Sequence, residues 1–277
     1  MTAAILAMLC ALVYGTADFC GGMAAKRSRV LSVVALSQLA GMLLIIVLLP
    51  LLPGRPDAAG LLWGLGAGVA GVLGLVLFYR ALAIGVMSVV APTTAVTSAA
   101  LPVLFGLVSG ERPAVMALIG VALALLSVLM VSRNPAAGGS TSLPALLAAL
   151  AAGAGFGGFF IMLAQVPSGA GLWPLLAARV ASVGIIVLAA VLTRRSLRPS
   201  GGSLAIITAA GVLDMAANIL FLLAEQQGML SLVAVLVSLY PATTLVLARY
   251  VLGERLHAVQ LTGVACALGS VALIAAA

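Results

Sequence analysis

Charge is what this chain has least of. Only 7% of its 277 residues are Asp, Glu, Lys or Arg, six of them acidic and thirteen basic. A soluble domain carries about 25%, and so few ionised groups could not solvate the surface of a globule this size. Histidine is nearly missing as well. The single one, His257, stands at the start of an apolar run, and neither HExxH nor Gly-x-Ser-x-Gly occurs, so zinc-protease and serine-hydrolase chemistry have no carrier. The three cysteines, Cys10, Cys20 and Cys266, lie inside apolar runs without CxxC spacing. An odd count of that kind argues against a disulfide frame or a metal site and fits small core residues. The glycine run Gly64 to Gly71 lacks the Lys-Ser/Thr ending of a phosphate loop, and no ATP-binding motif is visible. Nothing calls for a cofactor or a metal. The net charge of +7 is spread between the apolar runs, so it gives no basic patch for nucleic acid.

What the chain has instead is hydrocarbon, with 64% hydrophobic residues. The lipid bilayer is therefore the solvent for most of its surface. Long unbroken runs favour helices over a barrel, whose strands alternate apolar with polar. Cutting at Pro, Gly and charge clusters, and allowing about 20 residues per crossing, gives about ten spans: 3–24, 31–52, 60–82, 87–109, 113–131, 143–164, 172–193, 203–226, 229–252 and 257–276. The first lacks a basic segment before it and reads as retained rather than as a cleaved signal. The very short termini leave no room for an extramembrane domain.

The two halves resemble each other. A shift of 143 residues lays Gly110-Glu111-Arg112 on Gly253-Glu254-Arg255, Phe78 on Phe221, Gly85 on Gly228, Ser88 on Ser231 and Gly120-Val121-Ala122 on Gly263-Val264-Ala265. A shift of 140 aligns Gly15 with Gly155, Phe19 with Phe159 and Ile45 through Leu48 with Ile185 through Leu188. The expected organisation is a five-helix repeat over 1–133, a Gly/Ala/Ser-rich linker over 134–142, and a second repeat over 143–277. Five spans per half is odd, so the copies enter the bilayer from opposite sides. Such inverted repeats are common in secondary transporters, whose sites lie at the midplane between the halves.

The loops after odd-numbered spans hold Lys26, Arg27, Arg29, Arg80, Arg133, Arg194, Arg195, Arg198, Arg249 and Arg255, whereas the other side holds Arg55 and Arg112. The positive-inside rule then places the odd loops in the cytoplasm and both termini on the periplasmic or external face.

These features resemble the EamA family of the drug/metabolite transporter superfamily. The resemblance covers essentially the whole chain. It rests on two five-helix halves, each with Gly-Glu-Arg before its last helix. Tyr14-Gly15-Thr16-Ala17-Asp18-Phe19 resembles that family's Trp-Gly opening, with Tyr in place of Trp, and Ser238-Leu239-Tyr240-Pro241 also fits. It implies a ten-helix inner-membrane carrier, often an exporter of amino acids or related metabolites, without fixing one substrate. Many members keep their termini in the cytoplasm, opposite to the charge count here.

An ion inside a membrane helix costs about 2.5–3.5 kcal/mol to insert, so such residues lead the list of candidates. Arg179 sits inside the seventh span, Asp214 midway along the eighth and Asp18 toward the end of the first. Arg179 is expected to bind a substrate carboxylate or to pair with Asp214, while Asp18 or Asp214 takes up a proton. A fixed packing pair and a snorkelling Arg are the plainer alternatives. Thr93, Thr94, Thr97 and Ser98 share one stripe of the fourth helix, between Pro92 and Pro102, which free backbone carbonyls. They fit a polar cavity wall or helix–helix hydrogen bonds. Tyr240 and Thr244, with Pro241 and Thr243, form a comparable cluster. Asn218 lies four residues after Asp214, and Tyr14 and Gln38 complete the substrate-binding set. Glu111 and Glu254 read as first-turn carboxylates complementing the dipoles of their own following helices.

The leading expectation is secondary transport, as export of a small polar metabolite such as an amino acid. A structural or receptor-like membrane protein is the second reading and an intramembrane enzyme the third. Homodimerisation is left open.

Overall fold

The computed structural model describes residues 2–25, 27–51, 54–84, 87–131, 142–194, 196–199, 202–252 and 257–276. Most of the linker expected at 134–142 and the Gly253-Glu254-Arg255 motif lie outside them. Among the described residues the chain is α-helical, and no strand occurs. The helices are α1 (Thr2–Ala25), α2 (Val30–Leu48), α3 (Ala58–Ile84), α4 (Met87–Val108), α5 (Val115–Val131), α6 (Leu143–Ala164), α7 (Trp173–Leu192), α8 (Leu204–Glu225), α9 (Leu230–Val237), α10 (Tyr240–Leu252) and α11 (Ala258–Ala276). Six of them are long and apolar enough by composition to cross a membrane, and four shorter apolar segments accompany them. The shell is greasy, with Val108, Val115, Leu192 and Leu62 largely exposed. An apolar surface of this kind needs lipid against it, and the chain is a multi-pass membrane protein.

The segment expected as one ninth helix over 229–252 is broken. α9 stops at Val237 and α10 begins at Tyr240. Pro241 has no N–H to offer the carbonyl of Val237 and its ring crowds that oxygen. The amide of Leu239 bonds the Leu236 carbonyl at 3.2 Å, that of Ala242 bonds the Leu239 carbonyl at 2.9 Å, and the Ser238 hydroxyl donates to the Val235 carbonyl at 2.7 Å. These three-residue bonds tighten the chain across the break. The second span is also shorter than expected, ending at Leu48 rather than at residue 52.

Helix partners follow a pattern. α3 packs on α6 and α7, and α8 packs on α1 and α2; α4 packs on α6, and the α9–α10 pair packs on α1. α5 meets α11, α2 meets α7, and α4 meets α9. Glycine permits the tightest crossings. A Cβ on Gly68 would run into the Ala178 carbonyl oxygen of α7, and one on Gly211 into the Ser37 carbonyl oxygen of α2. Without a solvent-driven force between helices in lipid, such close backbone approach supplies the packing. Gly68 and Gly211 are themselves 143 residues apart, the offset that superposes the Gly-Glu-Arg motifs.

A carboxylate ties the halves together. Glu111 accepts from the amides of Leu230 at 2.8 Å and Ser231 at 3.1 Å, and from the Ser231 hydroxyl. The expectation that it serves its own following helix is corrected: α5 starts only at Val115, and the helix Glu111 caps is α9. The chemistry is unchanged, because an anion at a helix start satisfies free N–H groups and meets the positive end of the dipole. Gly106 leaves the room for it, since a Cβ there would strike the Glu111 carboxylate.

Candidate functional site

A cavity opens between helices of both halves. It holds about 850 Å³ of empty space, open solvent included, and is lined from α1, α2, α3, α4, α6, α7, α8 and α10. α5 and α11 pack on each other, and none of their described residues lines it.

Its polar side is a chain of hydrogen bonds across three helices. Arg179 on α7 is 7% exposed and pairs with Asp214 on α8 through its Nη2 and the carboxylate Oδ2. The Asn218 amide donates to the Asp214 carbonyl at 2.7 Å and to its Oδ2 at 3.3 Å. Asn218 then accepts from the Tyr14 hydroxyl of α1 at 2.9 Å. Each link follows from helix geometry. Asp214 and Asn218 are four residues apart, so they share one face of α8. Taking an ion pair out of water is costly, and it persists when further hydrogen bonds satisfy what remains. The Asp214 side chain stays 38% exposed, so one side of the carboxylate remains open.

Asp18 lies one turn beyond Tyr14 on α1 and lines the same cavity. It is exposed there and, among the described residues, has no hydrogen bond or ion pair. Gln38 of α2 is buried in the wall, and its Oε1 has no hydrogen-bond partner. Ser98 of α4 donates to the Ala95 carbonyl at 2.9 Å, and Tyr240 at the head of α10 sets its ring 6.5 Å from that of Tyr14.

The expected substrate-binding residues thus separate into two groups. Tyr14, Gln38, Ser98, Arg179, Asp214, Asn218 and Tyr240 lie in the cavity wall together with Asp18. Thr93, Thr94, Thr97 and Thr244 do not line it. Thr94 ties α4 to α6 through the Ala149 carbonyl at 3.1 Å, and Thr244 ties α10 to α1 through the Gly15 carbonyl at 3.0 Å. Thr97 bonds back to the Thr93 carbonyl of its own helix at 2.7 Å. These hydroxyls work in helix seams, as small polar residues in membranes commonly do.

The apolar side of the cavity escaped the sequence reading. Phe78, Phe156, Phe159 and Phe160 line it, four of the seven phenylalanines in the chain. They meet edge to face, with Phe159 and Phe160 centroids 5.6 Å apart and Phe78 and Phe156 6.1 Å apart, a favoured geometry for aromatic pairs. The available signal was the crowding of three of them into 156–160 in a chain with 5% aromatic residues. Ser182, also in the wall, donates to the Ala178 carbonyl at 2.8 Å and the Gly68 carbonyl at 3.2 Å. Among the described residues no group of His, Cys, Asp and Glu is placed to hold a metal.

No curated protein matches this chain. Solved structures do. One, described only as "Crystal structure of protein", superposes with a TM-score of 0.79 over 98% of this chain and 95% of its own, at 19% identity. A likeness at that identity shows the fold alone. The model of the EamA-like transporter family matches residues 1–133 and again 143–276. A family model that accounts for the sequence twice over, on a polytopic helical frame, leaves one conclusion: the chain belongs to the EamA-like transporter family, and is a membrane transporter of the drug/metabolite type.

Proposed function

We propose that this transporter is a secondary carrier of the inner membrane that exports amino acids or similar small polar metabolites. Two five-helix repeats of opposite topology alternately open the cavity to either face. The Arg179–Asp214–Asn218–Tyr14 chain carries this reading, because it is an ion pair between long apolar helices, at the wall of a cavity lined from α1, α7 and α8 among others. Ions persist at such depth where they meet substrate, water or each other. The packing pattern supports the repeat. Adding five to each span number turns the α3–α6 contact into the α8–α1 contact, and maps α3–α7 onto α8–α2. A two-fold axis in the membrane plane produces that relation.

Asp18 and Asp214 are the groups that would exchange protons during the cycle. The arginine-rich odd loops support cytoplasmic placement of that face, with the termini outside. Growth of cells producing the protein in toxic amino-acid analogues tests the reading. Resistance that disappears in Arg179→Ala is expected, and equal sensitivity with and without the protein across the panel would contradict it.

A further inference from the structure

The charged groups of the cavity do not balance. Among the described residues its lining has two carboxylates, Asp18 and Asp214, against one guanidinium, Arg179. That guanidinium is already engaged by Asp214. Asn218 is likewise committed, donating to Asp214 and accepting from Tyr14. The Ser98 and Ser182 hydroxyls donate to backbone carbonyls. Among the described residues the unbalanced group in the wall is therefore a carboxylate, while Arg179 keeps N–H donors beyond the one that meets Asp214. Asp18 is exposed with no partner among the described residues, and the buried Oε1 of Gln38 has none either. The same cavity is lined by aromatic rings, whose faces attract cations.

We infer that the solute is recognised by its amine. A protonated ammonium on an apolar body of aromatic size seats at Asp18, and a carboxylate on the solute is dispensable. This rests on the transport reading above and names the pole of the solute that the site reads. An ammonium supplies the positive charge that the two carboxylates of the described wall leave unbalanced. A solute carboxylate would meet a guanidinium already paired with Asp214 and two like charges, Asp18 and Asp214, in the same wall. The phenylalanines of α3 and α6 give the apolar body its contact surface.

The test uses three probes with one aromatic body: 2-phenylethylamine, phenylalanine and 3-phenylpropionate. Their affinities for the full-length purified chain are measured by titration calorimetry. The amine is expected to bind at least as tightly as the amino acid, and both about tenfold or more tighter than the acid, the scale of one charged hydrogen bond. Asp18→Asn should weaken the amine by a similar factor, while Asp18→Glu keeps most of its affinity. Binding of 3-phenylpropionate as tight as that of the amine overturns the inference, as does an amine affinity unchanged in Asp18→Asn. Failure of all three to bind overturns it too. Transport of other solutes in vesicles would survive each of these results, so the carrier reading stands or falls separately.

Discussion

The amide and hydroxyl of Ser231 both donate to the carboxylate of Glu111, 120 residues earlier in the chain. The loop after α4 is thereby fastened to the head of α9, which belongs to the other half and leads into the broken ninth span. Loss of such a cap costs about 1–2 kcal/mol. Glu111→Ala should therefore lower the thermal midpoint of the purified protein, and Glu111→Gln should lower it less, because one acceptor oxygen remains. An unchanged midpoint in Glu111→Ala would show that the cap carries no stability.

The Arg179–Asp214 pair allows a sharper separation of structure from function. Removing Arg179 leaves Asp214, 38% exposed, without its counter-ion, and the about 3–5 kcal/mol cost of orphaning a fully buried charge is the upper bound. Arg179→Ala should thus be less stable than Arg179→Ala combined with Asp214→Ala. If the pair served packing only, transport would return together with stability in the double variant. The proposed role expects recovered folding and no recovered flux. Thermal unfolding and vesicle flux on the same preparations read both.

Tyr14→Phe removes one hydroxyl and leaves the Asn218 Oδ1 without its donor. An unmade buried bond costs about 1–3 kcal/mol, so flux should fall about tenfold if the chain sets the site's geometry. Thr94→Val, which cuts the α4–α6 tie outside the cavity, should lower the thermal midpoint with solute affinity kept. Equal loss of affinity in the two variants would erase the distinction drawn between wall and seam.

Gly68 and Gly211 set two helix crossings, and a methyl group at either would enter a carbonyl oxygen of the facing helix. Gly68→Ala and Gly211→Ala should each cost about 1–3 kcal/mol through overpacking, with lower folded yield. Gly22→Ala and Gly184→Ala are the controls, since a Cβ there meets nothing within 4 Å. Size-exclusion profiles of the four variants check this.

The spans and the ion pair were legible for one physical reason: in a bilayer the penalty for a misplaced charge exceeds local preferences, so apolar runs and isolated ions stand out. Arg179 and Asp214 are conspicuous on that ground, and Asn218 follows from helical spacing. The threonines of α4 were not separable from cavity residues, because a stripe at spacings of three and four says which residues share a face but not what that face meets. Ser98 lines the cavity while Thr94, four residues earlier, binds the Ala149 carbonyl. Proline was ambiguous in the same way. Pro102 lies within a continuous α4, and Pro241 follows a break, so the residue type alone does not say whether a helix ends. The reach of Glu111 to α9 depends on tertiary contact and has no local signature.

Flux through the purified protein tests the central claim most directly. The chain is reconstituted in vesicles loaded with a panel of unlabelled amino acids and amines, and uptake of the labelled forms by counterflow is measured for the unaltered chain, Arg179→Ala and Asp214→Asn. Uptake above protein-free vesicles is expected for at least one solute, abolished in both variants. No uptake across the panel, or equal uptake by all three proteins, would contradict it.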